Sequence, residues 1–257
     1  REEDSRFMLE LNKIYCMDCL DGLKMIPDNS IDLVFADPPY GINGEGFEIP
    51  EKNYKRIDAE WDKVEPDYVW MDEAIRTMKE GSAIYITGTF HNIFNIKNYL
   101  DVKKEMIFKN FIVWYKPNVM PIKMAKMMGT WAYSCEYILY YSKGKPKNFQ
   151  YDALKELNNG IQHKDIIFCH TCEDDKAGHP SQKPLRVVRK IITASSKEGD
   201  TVLDPFMGSG TTAVACKQLR RNFIGFELSQ KYVDIANKRL SQETIFDYVL
   251  EGALCQQ

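Results

Sequence analysis

The feature that most constrains this chain is the stretch from Ile31 to Tyr40, Ile-Asp-Leu-Val-Phe-Ala-Asp-Pro-Pro-Tyr. Ile31, Leu33, Val34, Phe35 and Ala36 form a short apolar run that reads as a buried strand, and two prolines stop it at once. The strand therefore delivers its carboxyl end into a rigid turn. Asp37 puts a carboxylate there, Pro38 and Pro39 contribute carbonyls without N–H groups, and Tyr40 adds a flat ring with a polar tip. Such a turn is rich in acceptors and poor in donors. Its natural guest is a donor, such as an exocyclic amino group, held against an aromatic ring. Asp-Pro also opens ordinary turns, so four residues alone do not make a site.

Around this stretch strands and helices alternate. Strands are predicted at Lys13–Met17, Ser82–Thr87, Ile107–Tyr115, Glu136–Tyr141, Thr201–Leu203 and Asn222–Glu227. Helices are predicted at Leu20–Ile26, Pro66–Lys79, Asn92–Val102, Pro184–Ala194, Gly210–Leu219 and Ser229–Leu240, the last capped by Ser229. This alternation implies an α/β fold whose mostly parallel sheet is covered on both faces. A loop rather than a helix joins Ile107–Tyr115 to Glu136–Tyr141, so that pair is expected to be antiparallel at one sheet edge. Residues 41–66 read as a long functional loop, and Lys143 to Gly178 as a loop-rich subregion of a single domain spanning 8–257. Residues 1–7 read as a disordered or added segment ahead of Met8.

A second turn supplies a companion to the first. Asp204-Pro205-Phe206-Met207-Gly208-Ser209-Gly210-Thr211-Thr212 lies between a predicted strand and a predicted helix. Glycines there let a ligand approach the backbone, and the helix start offers free N–H groups. The next strand ends on Glu227, about 20 residues after Gly208, the spacing at which an acidic residue binds ribose hydroxyls. No Gly-Lys-Ser/Thr follows, which excludes a nucleoside-triphosphate P-loop, and Ala213 stands where a dinucleotide fingerprint has its third glycine. A nucleoside-containing cofactor is the economical reading.

Composition narrows the partners. The net charge of -3 argues against nucleic-acid binding through overall charge, but Lys103 to Lys147 holds nine lysines and no arginine against Glu105 and Glu136 alone. No apolar run approaches the roughly 18 residues of a membrane span, so no membrane partner and a cytoplasmic location are expected. Seven cysteines, an odd number, suggest reduced thiols. Cys16 with Cys19 and Cys169 with Cys172, near His170 and His179, have zinc-like spacing. The first pair brackets Asp18 at the expected cofactor pocket, however, and no metal is expected.

Three motifs in order, Asp37-Pro38-Pro39-Tyr40, His179-Pro180-Ser181-Gln182-Lys183-Pro184 and the Asp204–Thr212 turn, resemble the beta class of AdoMet-dependent amino-methyltransferases acting on DNA. The resemblance covers residues 9 to 242, with the catalytic motif ahead of the cofactor motif. It implies a Rossmann-like methyltransferase fold with circularly permuted motifs, S-adenosyl-L-methionine as cofactor, and methyl transfer to N6 of a flipped adenine in double-stranded DNA. It further implies that Asp37 and the carbonyl of Pro38 accept the amino hydrogens on the rigid Pro38-Pro39 turn while Tyr40 stacks on the base. Asp18 would hold the adenine of the cofactor and Glu227 its ribose. Asp204, Phe206, Gly208, Gly210 and Thr211 would line the cofactor, and Ser181 and Lys183 its methionine end. Asp18 could equally be a helix N-cap. The expected DNA-binding residues are Lys52, Lys55 and Arg56 in loop 44–60, Lys116, Lys123 and Lys126 in loop 116–130, and Lys143, Lys145 and Lys147 at the head of region 143–178. The resemblance leaves open a homodimer and a cognate restriction endonuclease. Its rivals are an N4-cytosine enzyme, disfavoured because Ser commonly replaces the first Asp in that group, and a catalytically silent subunit, disfavoured by the intact turn.

Overall fold

The computed structural model describes residues 9–41, 65–118, 126, 129–171 and 182–242. Among them a single eight-stranded sheet has the order β1-β8-β7-β2-β3-β5-β4-β6. The strands are β1 (Lys13–Cys16), β2 (Ile31–Ala36), β3 (Met78–Gly88), β4 (Met106–Tyr115), β5 (Cys135–Lys143), β6 (Ile166–Phe168), β7 (Thr201–Asp204) and β8 (Asn222–Glu227). The helices are α1 (Cys19–Lys24), α2 (Val69–Thr77), α3 (Ile93–Asp101), α4 (Tyr151–Glu156), α5 (Leu185–Ser195), α6 (Thr211–Gln218) and α7 (Gln230–Ser241). No helix of the described residues is long and apolar enough to cross a membrane.

All six residues of β2 are buried, as a strand covered on both faces requires. Its side chains alternate between two cores. Leu33 and Phe35 pack with Tyr85, Val188, Ile191 and Ile192 on one face, whereas Val34 and Ala36 pack with Trp70, Met71, Ile84 and Ile86 on the other. Truncating Leu33 to Ala, at full burial, would cost about 2–5 kcal/mol. Asp32 interrupts the apolar run yet is satisfied at both oxygens, by Lys79 Nζ at 2.7 Å and by the N–H of Thr201 at 3.0 Å. It thus ties β2 to β3 and β7 at the end of the sheet away from the Asp37 turn.

The expected antiparallel pair is present: β4 and β5 run in opposite directions, and β5 is also antiparallel to β3. β6 adds in parallel outside β4 and takes the edge, so β5, the one reversed strand, is interior. The region after Lys143 is more ordered than expected, since it contains α4 and β6. Three residues of strand and six of helix are too short for periodicity to reveal. The helix predicted to reach Lys79 stops at Thr77, because fully buried Met78 pairs with Ile31 and starts β3 directly. Sheet pairing outweighs helical periodicity there.

The glycine turn before α6 shows how tightly the core around Leu33 and Phe35 closes. Gly210 has φ +82°, and a Cβ there would lie 2.6 Å from Cβ of Ala236 in α7. Gly199 has the same φ with open space around it. Gly199→Ala should therefore cost about 1 kcal/mol from backbone strain alone, whereas Gly210→Ala should cost about 3 kcal/mol or more because the helices must also separate. Urea denaturation of both variants checks this, and equal losses would contradict it.

Candidate active site

Strands β2 and β7 are parallel neighbours, but the chain leaves them in opposite directions. After β2 it crosses by α2, on one face of the sheet, to β3. After β7 it crosses by α6, on the other face, to β8. Their carboxyl ends therefore open a crevice, the place where ligands of open α/β sheets bind. Asp37 follows β2 into that crevice and Asp204 closes β7 beside it.

The Asp37 carboxylate is asymmetrically anchored. Its Oδ1 accepts from the hydroxyl of Tyr40 at 2.8 Å, from Nζ of Lys183 at 2.7 Å, and from the hydroxyl of Thr87. Its Oδ2 carries no hydrogen bond among the described residues. Lys183, only 7% exposed, also reaches Oε2 of Glu136 at 3.3 Å, while Lys116 holds Oε1 of Glu136 at 2.9 Å. The Lys183 ammonium lies 5.1 Å from the ring centroid of Tyr40 and 6.0 Å from that of Trp114. Two carboxylates and two ammoniums alternate, so burial leaves none without an opposite charge; removing one partner of such a set typically costs about 3–5 kcal/mol.

The electrostatics follow from this alternation. Burial alone would push the Glu136 carboxyl up, but Lys183 and Lys116 outweigh it and hold the group below its ordinary range. Burial would likewise lower the Lys183 ammonium, yet Asp37 and Glu136 hold it above its ordinary value. The Tyr40 hydroxyl is pushed well up by burial and by the two carboxylates, so it remains a donor.

The glycine turn is pinned from two sides. Glu227 accepts from the N–H of Gly208 at 2.9 Å with Oε2 and from the N–H of Ser229 at 2.8 Å with Oε1. Gly208, at φ +52°, lets the backbone turn towards this carboxylate. Asp204 accepts from the N–H of Phe206 at 2.9 Å and from the hydroxyl of Thr212 at 2.5 Å. From α7, buried Arg239 donates to the carbonyl of Ser209 at 2.6 Å and to the hydroxyl of Thr211 at 3.2 Å. Phe206 packs edge-on against Trp70, centroids 5.0 Å apart. Asp18 caps α1, accepting from the N–H of Leu20 at 2.8 Å, and is exposed. Because Cys16 pairs with Glu227, Asp18 lies at the same end of the sheet as the turn.

Several expected site residues sit elsewhere than the sequence suggests. Tyr40 turns its hydroxyl inward to Asp37, Thr87 and Glu136. Lys183, expected on the cofactor's methionine end, pairs with Asp37 and Glu136 instead. Lys116, expected on DNA, is 14% exposed and paired with Glu136. Lys143 donates to the carbonyls of Ile75 and Met78, both at 2.8 Å, where β5 ends opposite the start of β4. That is the end of the sheet away from Asp37, and Lys145 and Lys147 follow it there, Lys147 against Gly81. These three lysines therefore do not join a DNA surface around the crevice: β5 runs against its neighbours and carries them to the wrong end. Ser229 stands at the start of α7 but makes no side-chain cap bond; its own N–H donates to Glu227. Lys126 is exposed. Ser181, Lys52, Lys55, Arg56 and Lys123 lie outside the described residues, as does Cys172, and no metal-binding cluster occurs among the described residues. Thr87, Glu136 and Arg239 are site residues that sequence reasoning missed. Glu136 did carry a signal, as one of two acids in a lysine-rich stretch.

Comparison with known proteins agrees with this arrangement. The DNA methylase family model, N6_N4_Mtase, matches residues 31–238. Type II methyltransferase M.HinfI of Haemophilus influenzae is 38% identical over 90% of this chain and 69% of its own length. Type II methyltransferase M2.MboI of Moraxella bovis is 36% identical over 90% of this chain and 88% of its own length. Among solved structures, M1.HpyAVI in complex with SAM superposes with a TM-score of 0.67 at 28% identity, over 90% of this chain and 99% of that one. The fold and crevice are those of an AdoMet-type α/β methyltransferase. The chain belongs to the DNA methylase family, and is a DNA methyltransferase.

Burial raises the Asp204 carboxyl to about 7, despite its two donors. Between the ordinary value of 3.8 and about 7 the folded protein keeps a proton that the unfolded chain has released, so this group's contribution to stability falls as pH rises. Asp204→Asn removes that titration. Unfolding free energies measured at pH 4, 5.5 and 7 should shift progressively in the variant's favour; a difference independent of pH would contradict the assignment.

Proposed function

We propose that this chain is a site-specific, beta-class enzyme that transfers a methyl group from S-adenosyl-L-methionine to the exocyclic N6 of an adenine flipped out of double-stranded DNA. The observation that carries the reading is the half-anchored Asp37: three donors fix Oδ1, and Oδ2 accepts no hydrogen bond among the described residues. The amino nitrogen of adenine is a poor nucleophile because its lone pair is delocalised into the ring. Two acceptors, Asp37 Oδ2 and the Pro38 carbonyl, each take one N–H and aim the lone pair at the incoming methyl. The catalysis is orientation plus preorganised charge. Extruding the base costs a few kcal/mol, which contacts with the rest of the duplex must offset.

The donor set fits the cofactor. AdoMet offers a ribose diol and an adenine amino group, and Glu227 and Asp18 present acceptors along the same end of β8 and β1. Positive φ at Gly208 and Gly210 bends the backbone beside Glu227, with Phe206, Thr211 and Asp204 shaping the turn behind. AdoMet supplies the electrophilic methyl when bound; the residues described here bind it and orient the nucleophile. The 2.7 Å ion pair favours Lys183 as the cation that aims Asp37, rather than as the holder of the methionine end. Loops 44–60 and 116–130 and the part of region 143–178 near the crevice hold DNA in this reading. The Type II designation of the relatives supports pairing with a cognate endonuclease.

With labelled AdoMet and plasmid DNA, Asp37→Ala should lose about 1,000-fold or more in transfer rate while calorimetric AdoMet affinity stays within about threefold. Undiminished transfer would overturn the mechanism, and nucleoside mass analysis of the product should show N6-methyladenine. Lys183→Gln should lower kcat about 100-fold with AdoMet affinity nearly unchanged. A large loss of AdoMet affinity with kcat retained would instead return Lys183 to the methionine end.

A further inference from the structure

The rim of the crevice carries aromatic surface that no packing requires. Phe90 lies three residues beyond Thr87 and is 39% exposed; Tyr133 lies three residues before Glu136 and is 38% exposed. Their rings stack at 4.7 Å with an interplanar angle of 21°, and His91 lies against Phe90 at 3.8 Å. Two residues before Tyr133 stands Trp131, 93% exposed, more than any other large hydrophobic residue among those described. Trp131 is five positions before Glu136, so its backbone lies within about 18 Å of that of Glu136, a member of the charged network that holds Asp37. A tryptophan held almost wholly in water, beside a stacked aromatic pair at the mouth of a site, marks an interaction surface.

The chemistry of the neighbourhood selects the partner. Lys126 is exposed in the same connection between β4 and β5, five positions before Trp131, and adds a cation suited to phosphate. A target base drawn into the crevice leaves a gap one base pair thick in the DNA stack, and a flat apolar side chain is the group that can fill it. We propose that Trp131 enters the DNA helix in the space vacated by the target base. The ring thereby replaces the stacking that extrusion removes. This inference rests on the methyltransferase reading and extends it to the way the base is held out.

Single-turnover transfer from labelled AdoMet tests it on two duplexes carrying a site that the wild-type chain labels in plasmid DNA. In one the target base is normally paired; in the other it faces an abasic position and needs less help to leave the stack. Trp131→Ala should slow transfer on the paired duplex about 10-fold or more, yet lose less than about threefold on the abasic duplex. Equal loss on both duplexes, or no loss on either, overturns the proposal while leaving the methyltransferase reading in place. Failure of the wild-type chain to label any DNA overturns both. Unchanged AdoMet affinity of Trp131→Ala is the check that the variant is folded.

Discussion

The structure depends on a topological constraint: β2 and β7 lie side by side and parallel, but their crossovers leave by opposite faces. No side chain has to fill the space beyond their carboxyl ends, because the covering helices have gone in opposite directions. The crevice is thus a consequence of the winding, and each strand delivers one working turn into it. Asp32, at the other end of β2, shows the cost of keeping that pair in register. A carboxylate is accepted within a buried strand because it bonds to Lys79 and to the backbone where β7 begins.

The two turns solve different problems. The glycine turn must bring backbone close to a ligand, and it does so by positive φ at Gly208 and Gly210, fastened by Glu227 in front and Arg239 behind. The Asp37 turn must hold a carboxylate in a fixed orientation. Lys183 does so through its ion pair, but an ammonium so buried is itself tenable only because Glu136 and Asp37 flank it. The four charges therefore behave as one unit, and its open position is Asp37 Oδ2.

Much of this was legible in the sequence. The apolar run of β2, the Pro-Pro stop, the glycine turn and Glu227 announce themselves through local chemistry, and the comparisons find the broader DNA methylase family to which the class they resemble belongs. Elements of only a few residues were not legible, since β6 and α4 are too short to show a period and are held by their neighbours. Neither was which strand of the expected antiparallel pair is the reversed one: it is β5, which turns Lys143, Lys145 and Lys147 away from the surface that their charge suggested.

What the sequence by itself determined is which side chains stand at the two turns and the order in which the chain presents them. A carboxylate followed by two prolines, or a glycine turn between strand and helix, has conformational consequences within a few residues. What only the tertiary structure decided is which charges meet. Tyr40 and Glu136 lie 96 residues apart, and Arg239 reaches Ser209 across 30. The roles of Lys183, Glu136 and Lys116 come from burial and opposite charge at the crevice. Both are properties of position in the folded molecule, to which residue type and spacing along the chain are blind.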